Sequence, residues 1–507
     1  MPSPTARFAL HPAFTVGQVH PRVFGSFVEH LGRCVYTGIY EPGHPEADAA
    51  GLRQDVLALV RELGVTAIRY PGGNFVSGFR WEDSVGPVED RPRRLDLAWR
   101  TTEPNAFGLG EFMGFLKKLG PESEPMLAVN LGTRGVPEAL ELLEYANHPA
   151  GSALAERRIA HGDKEPYGIR MWCLGNEMDG PWQTGHKTAA EYGRLAAETA
   201  RAMRQYDPEL ELVACGSSGQ SMPTFGAWEA EVLTETYDLV DHVSLHAYYE
   251  ELDGDRDSFL ASAADMESFI DNVVATCDHV GAKLKSDKRI HLSFDEWNVW
   301  YMRRHQEQSA AEPLDWPEAP RLLEDSYSVT DAVVFGSLVI TLLRHADRVT
   351  AACLAQLVNV IAPIMTEPGG PAWRQTTFFP FAQAARHGRG EVLDVRVDSP
   401  TYTTAKYGEV PLLHATAVRD PESGGVSVFA VNRSQTEALP LQIALDAGLG
   451  LTRIEEHSVL ADADPDAANT LADPERVAPH PGEGAALTAG GLAATLEPLS
   501  WTMIRLA

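Results

Sequence analysis

Two stretches of this chain put an acid where a hydrophobic strand runs out. In WCLGNEMDGPW (172–182), Glu177 follows Asn176 and precedes a DGPW turn, straight after a run that reads as a buried strand. In RIHLSFDEWN (289–298), Glu296 closes a second such run. Desolvation opposes a carboxylate charge at such a position, so an acid placed there points to chemistry. Two carboxylates converging across a cleft are what glycosidic bond cleavage requires, one as acid and the other as nucleophile or base. Partial burial and a neighbouring anion are expected to raise the pKa of Glu177, so that it holds a proton near neutral pH and delivers it to a leaving oxygen. Asn176 is then placed to hydrogen-bond a sugar hydroxyl next to the reacting carbon.

The elements that would position these acids follow a repeating pattern. Between roughly Phe24 and Asn359, short β-branched runs alternate with longer helical stretches. Strands are expected at VFGSFVEH from Val23, VTAIRYPGGN from Val65, PMLAVNLG from Pro125 and IRMWCLGNE from Ile169, then at LVACGSS from Leu212, LVDHVSLHAYY from Leu239, RIHLSFDEWN from Arg289 and TAACLAQLVN from Thr350. Helical spacing is clear in LRQDVLALVRELG, and PEALELLEYANH opens with proline as helices often do. Eight such units predict an α/β fold, a (β/α)₈ TIM barrel, over residues 19–385. A doubly wound sheet is the competitor, but no GxGxxG follows the first strand. After about Arg386 short alternating segments are separated by turn clusters such as DPESGG and DADPDAAN, which predicts an antiparallel β-sandwich, jelly-roll-like, of residues 386–507. The opening ARFAL and FTVGQV are expected to add strands to it, so residues 1–18 belong with that unit.

In a barrel, polar residues at the C-terminal strand ends face the active-site mouth. Those ends supply Glu29, Arg69 with Asn74, Asn176 with Glu177, His246 with Tyr248, Glu296 with Trp300, and Gln356. Plainer readings exist for several. Glu29 and Arg69 could form a salt bridge across neighbouring strands, His246 could be a satisfied core histidine, and Trp300 a packing residue. Asp179 and Asp295 read as turn formers or supports of the glutamates beside them. The long polar segment MRRHQEQSAAEPLDWPEAPR after strand seven reads as a loop whose Trp316 could reach over the site or serve a subunit contact.

Bulk properties narrow the function. With 42 Lys and Arg against 71 Asp and Glu the net charge is −29, which disfavours nucleic acid and anionic membranes as partners. Five cysteines without a CxxC pair suit reduced thiols, and the histidines lack metal-ligand spacing, so neither metal nor cofactor is expected. The start has no long apolar stretch before a cleavage site, and the longest apolar run, Ala332 to Leu343, is too short to span a bilayer. The expected location is cytoplasmic.

FVEH, RYPGGNF, WCLGNEMDGPWQ, SLHAYY, FDEWNVWY and AQLVNVI, in that order, resemble the family 51 glycoside hydrolases, the α-L-arabinofuranosidases. The likeness runs through the barrel to the terminal LSWTMIRL. It implies a retaining mechanism on a (β/α)₈ barrel with a β-sandwich, no metal, and a homo-oligomer, often a hexamer. By position Glu177 would be the general acid/base and Glu296 the nucleophile. Glu29, Asn74, Asn176 and Gln356 would bind furanose hydroxyls. Arg69 and His246 would support the carboxylates, with Tyr248 near the nucleophile, and Trp99 and Trp300 would be aromatic walls. The implied function is exo-acting release of terminal α-L-arabinofuranosyl residues from arabino-oligosaccharides. A β-xylosidase or endo-β-glucanase on the same machinery, and a non-catalytic sugar-binding protein, are the alternatives.

Overall fold

The computed structural model describes residues 5–507, so the first four residues of the expected sandwich segment lie outside the described residues. Eight parallel strands close into a barrel, β1 (Gly25–Phe27), β2 (Ala67–Tyr70), β3 (Glu124–Val129), β4 (Met171–Leu174), β5 (Glu211–Ala214), β6 (His242–Tyr249), β7 (His291–Val299) and β8 (Val349–Leu354). Closure comes from β8 pairing with β1, where Cys353 lies opposite Gly25. β1, β2 and β4 are buried along their whole length, which is why their sequences are continuous apolar runs and not alternating ones. The eight strands are the eight expected from the sequence.

The helices outside the barrel form for local reasons that the sequence states. Gln54–Leu63 turns Val56, Leu57, Leu59, Val60 and Leu63 inward and ends on Gly64, whose φ of 81° is the left-handed cap that glycine supplies. Val136–Asn147 carries Pro137 in its first turn. The apolar run Ala332 to Leu343 lies inside the helix Val329–Arg344, which opens on a Ser328–Asp331 capping box. That helix is buried on every side, as an all-apolar helix must be. Among the described residues no helix is long and apolar enough to cross a membrane.

β7 departs from a regular strand. Against β6, Ser244 pairs with Ser293 but His246 pairs with Glu296, so β7 fits one extra residue into that interval. The pairing with β8 slips in the same place, between Phe294 and Trp297. This bulge breaks the two-residue alternation of side chains just where Asp295 and Glu296 sit.

Two sheets make up the remaining unit. A seven-stranded sheet runs Thr15–Gln18, Glu391–Leu393, Leu413–Arg419, Val426–Asn432, Ser500–Leu506, Ile454–Leu460, His480–Pro481, and all its pairings are antiparallel. A four-stranded sheet runs Ala6–Leu10, Leu439–Leu445, Gly491–Leu496, Ala486–Thr488. Each N-terminal strand thus joins one sheet. Ala6–Leu10 pairs parallel with Leu439–Leu445, so the expectation of a wholly antiparallel sandwich fails at this edge. The two strands are far apart in sequence and no tight turn joins them, so a hairpin register is not imposed on the pair. The segment after β7 differs too, because residues Met302–Ala311 form an exposed helix where a loop was expected.

Trp501, fully buried, joins the two units. Its ring lies against Gly336 of the helix Val329–Arg344, where an added Cβ would come within 2.4 Å of the indole. Its Nε1 donates to Gln383 at 2.7 Å, and Phe429 stacks on it at 5.6 Å. Gly336→Ala is therefore expected to lower stability by about 1–3 kcal/mol through overpacking, although alanine favours a helix. Chemical denaturation measures it, and a stabilised variant would contradict the contact.

Candidate active site

The turn after β4 delivers Glu177 to the barrel mouth. Gly175 has φ 95° and Glu177 itself φ 44°, a left-handed conformation that residues with a side chain rarely adopt. Gly180 N–H then donates to the Glu177 carbonyl at 2.9 Å, which closes the MDG turn. That turn swings Trp182 back so that its indole N–H donates to Glu177 Oε2 at 2.6 Å. The other oxygen, Oε1, lies 2.9 Å from His246 Nδ1.

Glu296 faces Glu177 from β7. It accepts from Arg69 Nη1 at 2.8 Å and from Tyr248 O–H at 2.7 Å, and His246 Nδ1 lies 3.7 Å from its second oxygen. Because of the bulge, Arg69 also has Asp295 Oδ2 at 3.9 Å, so two consecutive acids reach one guanidinium. Asp295 accepts from Ser293 Oγ and stays deep in the barrel, which makes it a support and not a third acid of the mouth. One oxygen each from Glu177 and Glu296 and a ring nitrogen of His246 lie within 4.8 Å of one another.

The remaining candidates close a ring around this pair. Arg69 Nη2 donates to Asn176 Oδ1 at 2.6 Å, and Asn176 Nδ2 donates to Asn74 Oδ1 at 3.3 Å. Glu29 accepts from Phe75 N–H and from the Trp99 indole at 2.9 Å each, and from Gln356 Nε2 at 3.1 Å. Trp300 packs edge-on to Tyr248 with ring centres 5.0 Å apart. All eleven residues expected at the mouth are thus brought together there. Gly72 and Gly73 make room for them: a Cβ on Gly72, whose φ is 152°, would sit 2.4 Å from Glu29 Cγ, and one on Gly73 would sit 2.8 Å from Glu296 Oε1.

Burial and charge act in opposite directions on the acids. Burial works against the Glu296 charge, but His246, Arg69 and the Tyr248 hydrogen bond outweigh it and hold the carboxyl below its ordinary value. Burial likewise opposes the His246 charge, and Glu296 and Glu177 overcome it to raise that imidazole. Glu29 has no cation of its own; burial first and then Glu296 push it up to about 8.

Two residues of this ring lack a signal in the strand-end pattern. Trp182 sits five residues beyond Glu177 and arrives only because the DGPW turn folds back. Asp96 lies on a hairpin of Arg94–Asp96 and Thr101–Glu103, where it accepts from Ala98 N–H at 2.9 Å and Trp99 N–H at 3.3 Å and so fixes the Trp99 loop. Asp179 accepts from Ser218 N–H at 3.1 Å and ties the β4 turn to the loop after β5. Trp316 stacks under Arg100 at 5.3 Å, and its carbonyl accepts from Thr102 at 2.8 Å, so it braces the hairpin that carries Trp99.

Glu177, His246 and Glu296 are also donors that a divalent ion would accept. Here the Arg69 guanidinium already occupies the cationic position beside Glu296, and the Trp182 and Tyr248 donors take up the outer oxygens. A cation would meet a buried arginine at close range. The arrangement fits proton transfer and nucleophilic attack better than metal binding.

Residues 59–265 match the α-L-arabinofuranosidase 1 domain, and residues 295–500 match the α-L-arabinofuranosidase C-terminal domain. Over all of both chains the structure superposes, with a TM-score of 0.95 and 50% identity, on a family 51 α-L-arabinofuranosidase from Bifidobacterium longum. The chain belongs to glycoside hydrolase family 51. Among family 51 relatives, the intracellular exo-α-(1→5)-L-arabinofuranosidase of Streptomyces lividans is 78% identical, covering 99% of this chain and 75% of its own. The exo-α-(1→6)-L-arabinofuranosidase of Bifidobacterium longum is 58% identical over 98% of this chain and 97% of its own.

The raised Glu29 has a consequence for this family 51 site that can be measured. An unfolded chain ionises this acid above about 4.5, whereas the folded protein keeps the proton up to about 8, so stability is lost as pH rises through that window. Glu29→Gln copies the protonated form at every pH and removes the loss. The melting temperature of the variant minus that of the wild type should grow between about pH 5 and pH 8; a flat or shrinking difference would contradict the assignment.

Proposed function

We propose that this protein is a retaining, exo-acting α-L-arabinofuranosidase that removes terminal α-L-arabinofuranosyl residues from (1→5)-linked arabino-oligosaccharides by double displacement. The observation that carries this reading is the separation of the two carboxylates. One oxygen of each lies within 4.8 Å of an oxygen of the other, in keeping with the roughly 5 Å of retaining glycosidases and short of the roughly 6.5–9.5 Å that leaves room for a water in inverting ones.

In the first step Glu296 attacks the anomeric carbon while the bond from that carbon to the leaving oxygen breaks. Glu177 gives its proton to that oxygen. The Arg69 and Tyr248 hydrogen bonds hold Glu296 ionised and aimed, and they must weaken as its charge passes into the new ester. In the second step Glu177 takes a proton from water, the hydroxide attacks the same carbon, and the ester bond to Glu296 breaks. His246, in contact with both acids, supports negative charge on whichever of them carries it. Glu29, Asn74, Asn176 and Gln356 bind the furanose hydroxyls in this reading, and Trp99 and Trp300 wall the ring.

The same reading assigns residues 19–385 to a catalytic barrel and residues 1–18 with 386–507 to a sandwich unit. It places the enzyme inside the cell, as the name of the Streptomyces relative supports, and in a homo-oligomer, a hexamer by family resemblance.

Methanolysis of 4-nitrophenyl α-L-arabinofuranoside, followed by proton NMR, tests the stereochemistry. The first product should be the methyl α-L-arabinofuranoside; the β-anomer, or turnover of the corresponding β-xyloside alone, would overturn the reading. Glu296→Ala should abolish turnover. Glu177→Ala should lower kcat/KM, which reports the first step, by about 10²–10⁴-fold for arabinobiose, whose leaving group is poor, and far less for an activated aryl glycoside. Equal losses of kcat/KM on both substrates would contradict the acid role.

A further inference from the structure

Away from the barrel mouth, a cavity of about 230 Å³ opens where the barrel meets the sandwich. Its walls are Glu267 on the helix Ala263–Leu284, Arg344 at the end of the helix Val329–Arg344, and His414, Arg396 and Arg433 on the sandwich side. Arg433 follows the strand Val426–Asn432 and is only 5% exposed. Its guanidinium donates from Nη1 to the Pro411 carbonyl at 3.1 Å, while Nε is buried without a partner. Among the described residues no ion pair to a carboxylate includes it. An arginine cannot shed its proton to escape burial, so a guanidinium held like this carries a charge without a paired carboxylate.

The neighbours supply a single negative charge, which Arg433 must share with Arg344. Glu267, 3.2 Å from Arg344 Nε, stays ionised: although burial opposes its charge, the hydrogen bond from His414 and the charge of Arg344 hold its carboxyl down at about 2. His414 is pushed down to about 4, chiefly by burial, and its Nδ1 also lacks a partner. Arg396 on the rim is already paired with Asp394 at 3.0 Å. Two inward guanidinium groups therefore face one carboxylate. The excess positive charge stands out in a chain whose net charge is −29.

We propose that this junction cavity is a binding site for a small oxyanion of the phosphate class, held between Arg433 and Arg344. A tetrahedral oxyanion offers several acceptors to the donors of a guanidinium, which suits arginine better than a single point acceptor would. Because Arg344 belongs to a barrel helix and Arg433 to the sandwich, the bound anion ties the two units together. It stabilises the fold by mass action without touching the carboxylates of the mouth.

The full-length protein is titrated with inorganic phosphate at constant ionic strength, balanced with sodium chloride, while the melting temperature is followed. The expected result is a rise that becomes logarithmic in phosphate concentration once the site fills, about 1–2 °C at tenfold the dissociation constant. Arg433→Met should remove it, Arg433→Lys should keep part of it, and both should retain arabinofuranosidase turnover as proof of folding. Glu267→Gln deletes the one competing carboxylate and should tighten phosphate binding several-fold by calorimetry, a readout that stands even if Arg433→Met fails to fold. A rise that stays linear in phosphate concentration is the general effect of an excluded salt and would overturn the proposal. So would an equal rise in chloride, a rise that survives Arg433→Met, or weaker binding by Glu267→Gln.

Discussion

Two acids within 4.8 Å of each other in a mouth nearly closed to solvent repel, by roughly 3–4 kcal/mol at an effective dielectric near 20 if both are charged. The rest of the site is organised around that repulsion. Arg69 lies under the pair with its guanidinium against Glu296, and His246 stands between the two carboxylates. The compensation is unequal. Glu296 receives a guanidinium and a phenol, whereas Glu177 receives an indole N–H and an imidazole. An acid so tied to a permanent cation is suited to remain an anion. One facing only a neutral donor and a titratable ring is suited to exchange a proton. The division of labour proposed for the pair thus arises from which donors each oxygen meets.

Backbone irregularities bring the acids to these donors. A regular β7 would send Asp295 and Glu296 to opposite faces, but the bulge after Ser293 lets both approach Arg69. At β4 the left-handed Glu177 and the turn behind it point the carboxylate at His246 and return Trp182 to it. Both departures fall at strand ends, where the barrel core no longer dictates the alternation of side chains. Conformational strain at Glu177 persists because the buried hydrogen bonds around it over-determine its place.

Much of this was legible in the sequence, for identifiable reasons. A parallel barrel strand is covered on both faces, so it leaves a continuous apolar run, and an acid at its end stands out. Glu29, Glu177 and Glu296 could be found that way, and Gln356 as a polar residue at the same kind of strand end. Trp182 and Asp96 could not, because each acts through a turn or hairpin whose path depends on contacts far away in the chain. The same holds for Met302–Ala311, a helix with no buried residue, whose polar sequence lacks an apolar stripe to announce it. The parallel pairing of Ala6–Leu10 is likewise set by where the chain enters the sandwich, not by its own pattern.

Azide rescue addresses the arrangement of the two acids most directly, since a small anion can take the place of a deleted carboxylate. With Glu177→Ala, azide should attack the arabinosyl ester on Glu296 and yield the α-L-arabinofuranosyl azide. With Glu296→Ala, azide should enter from the vacated side, with Glu177 still protonating the leaving group, and yield the β-azide. The same anomer from both variants, or the two anomers exchanged, would contradict a pair of acids facing one sugar carbon from opposite sides.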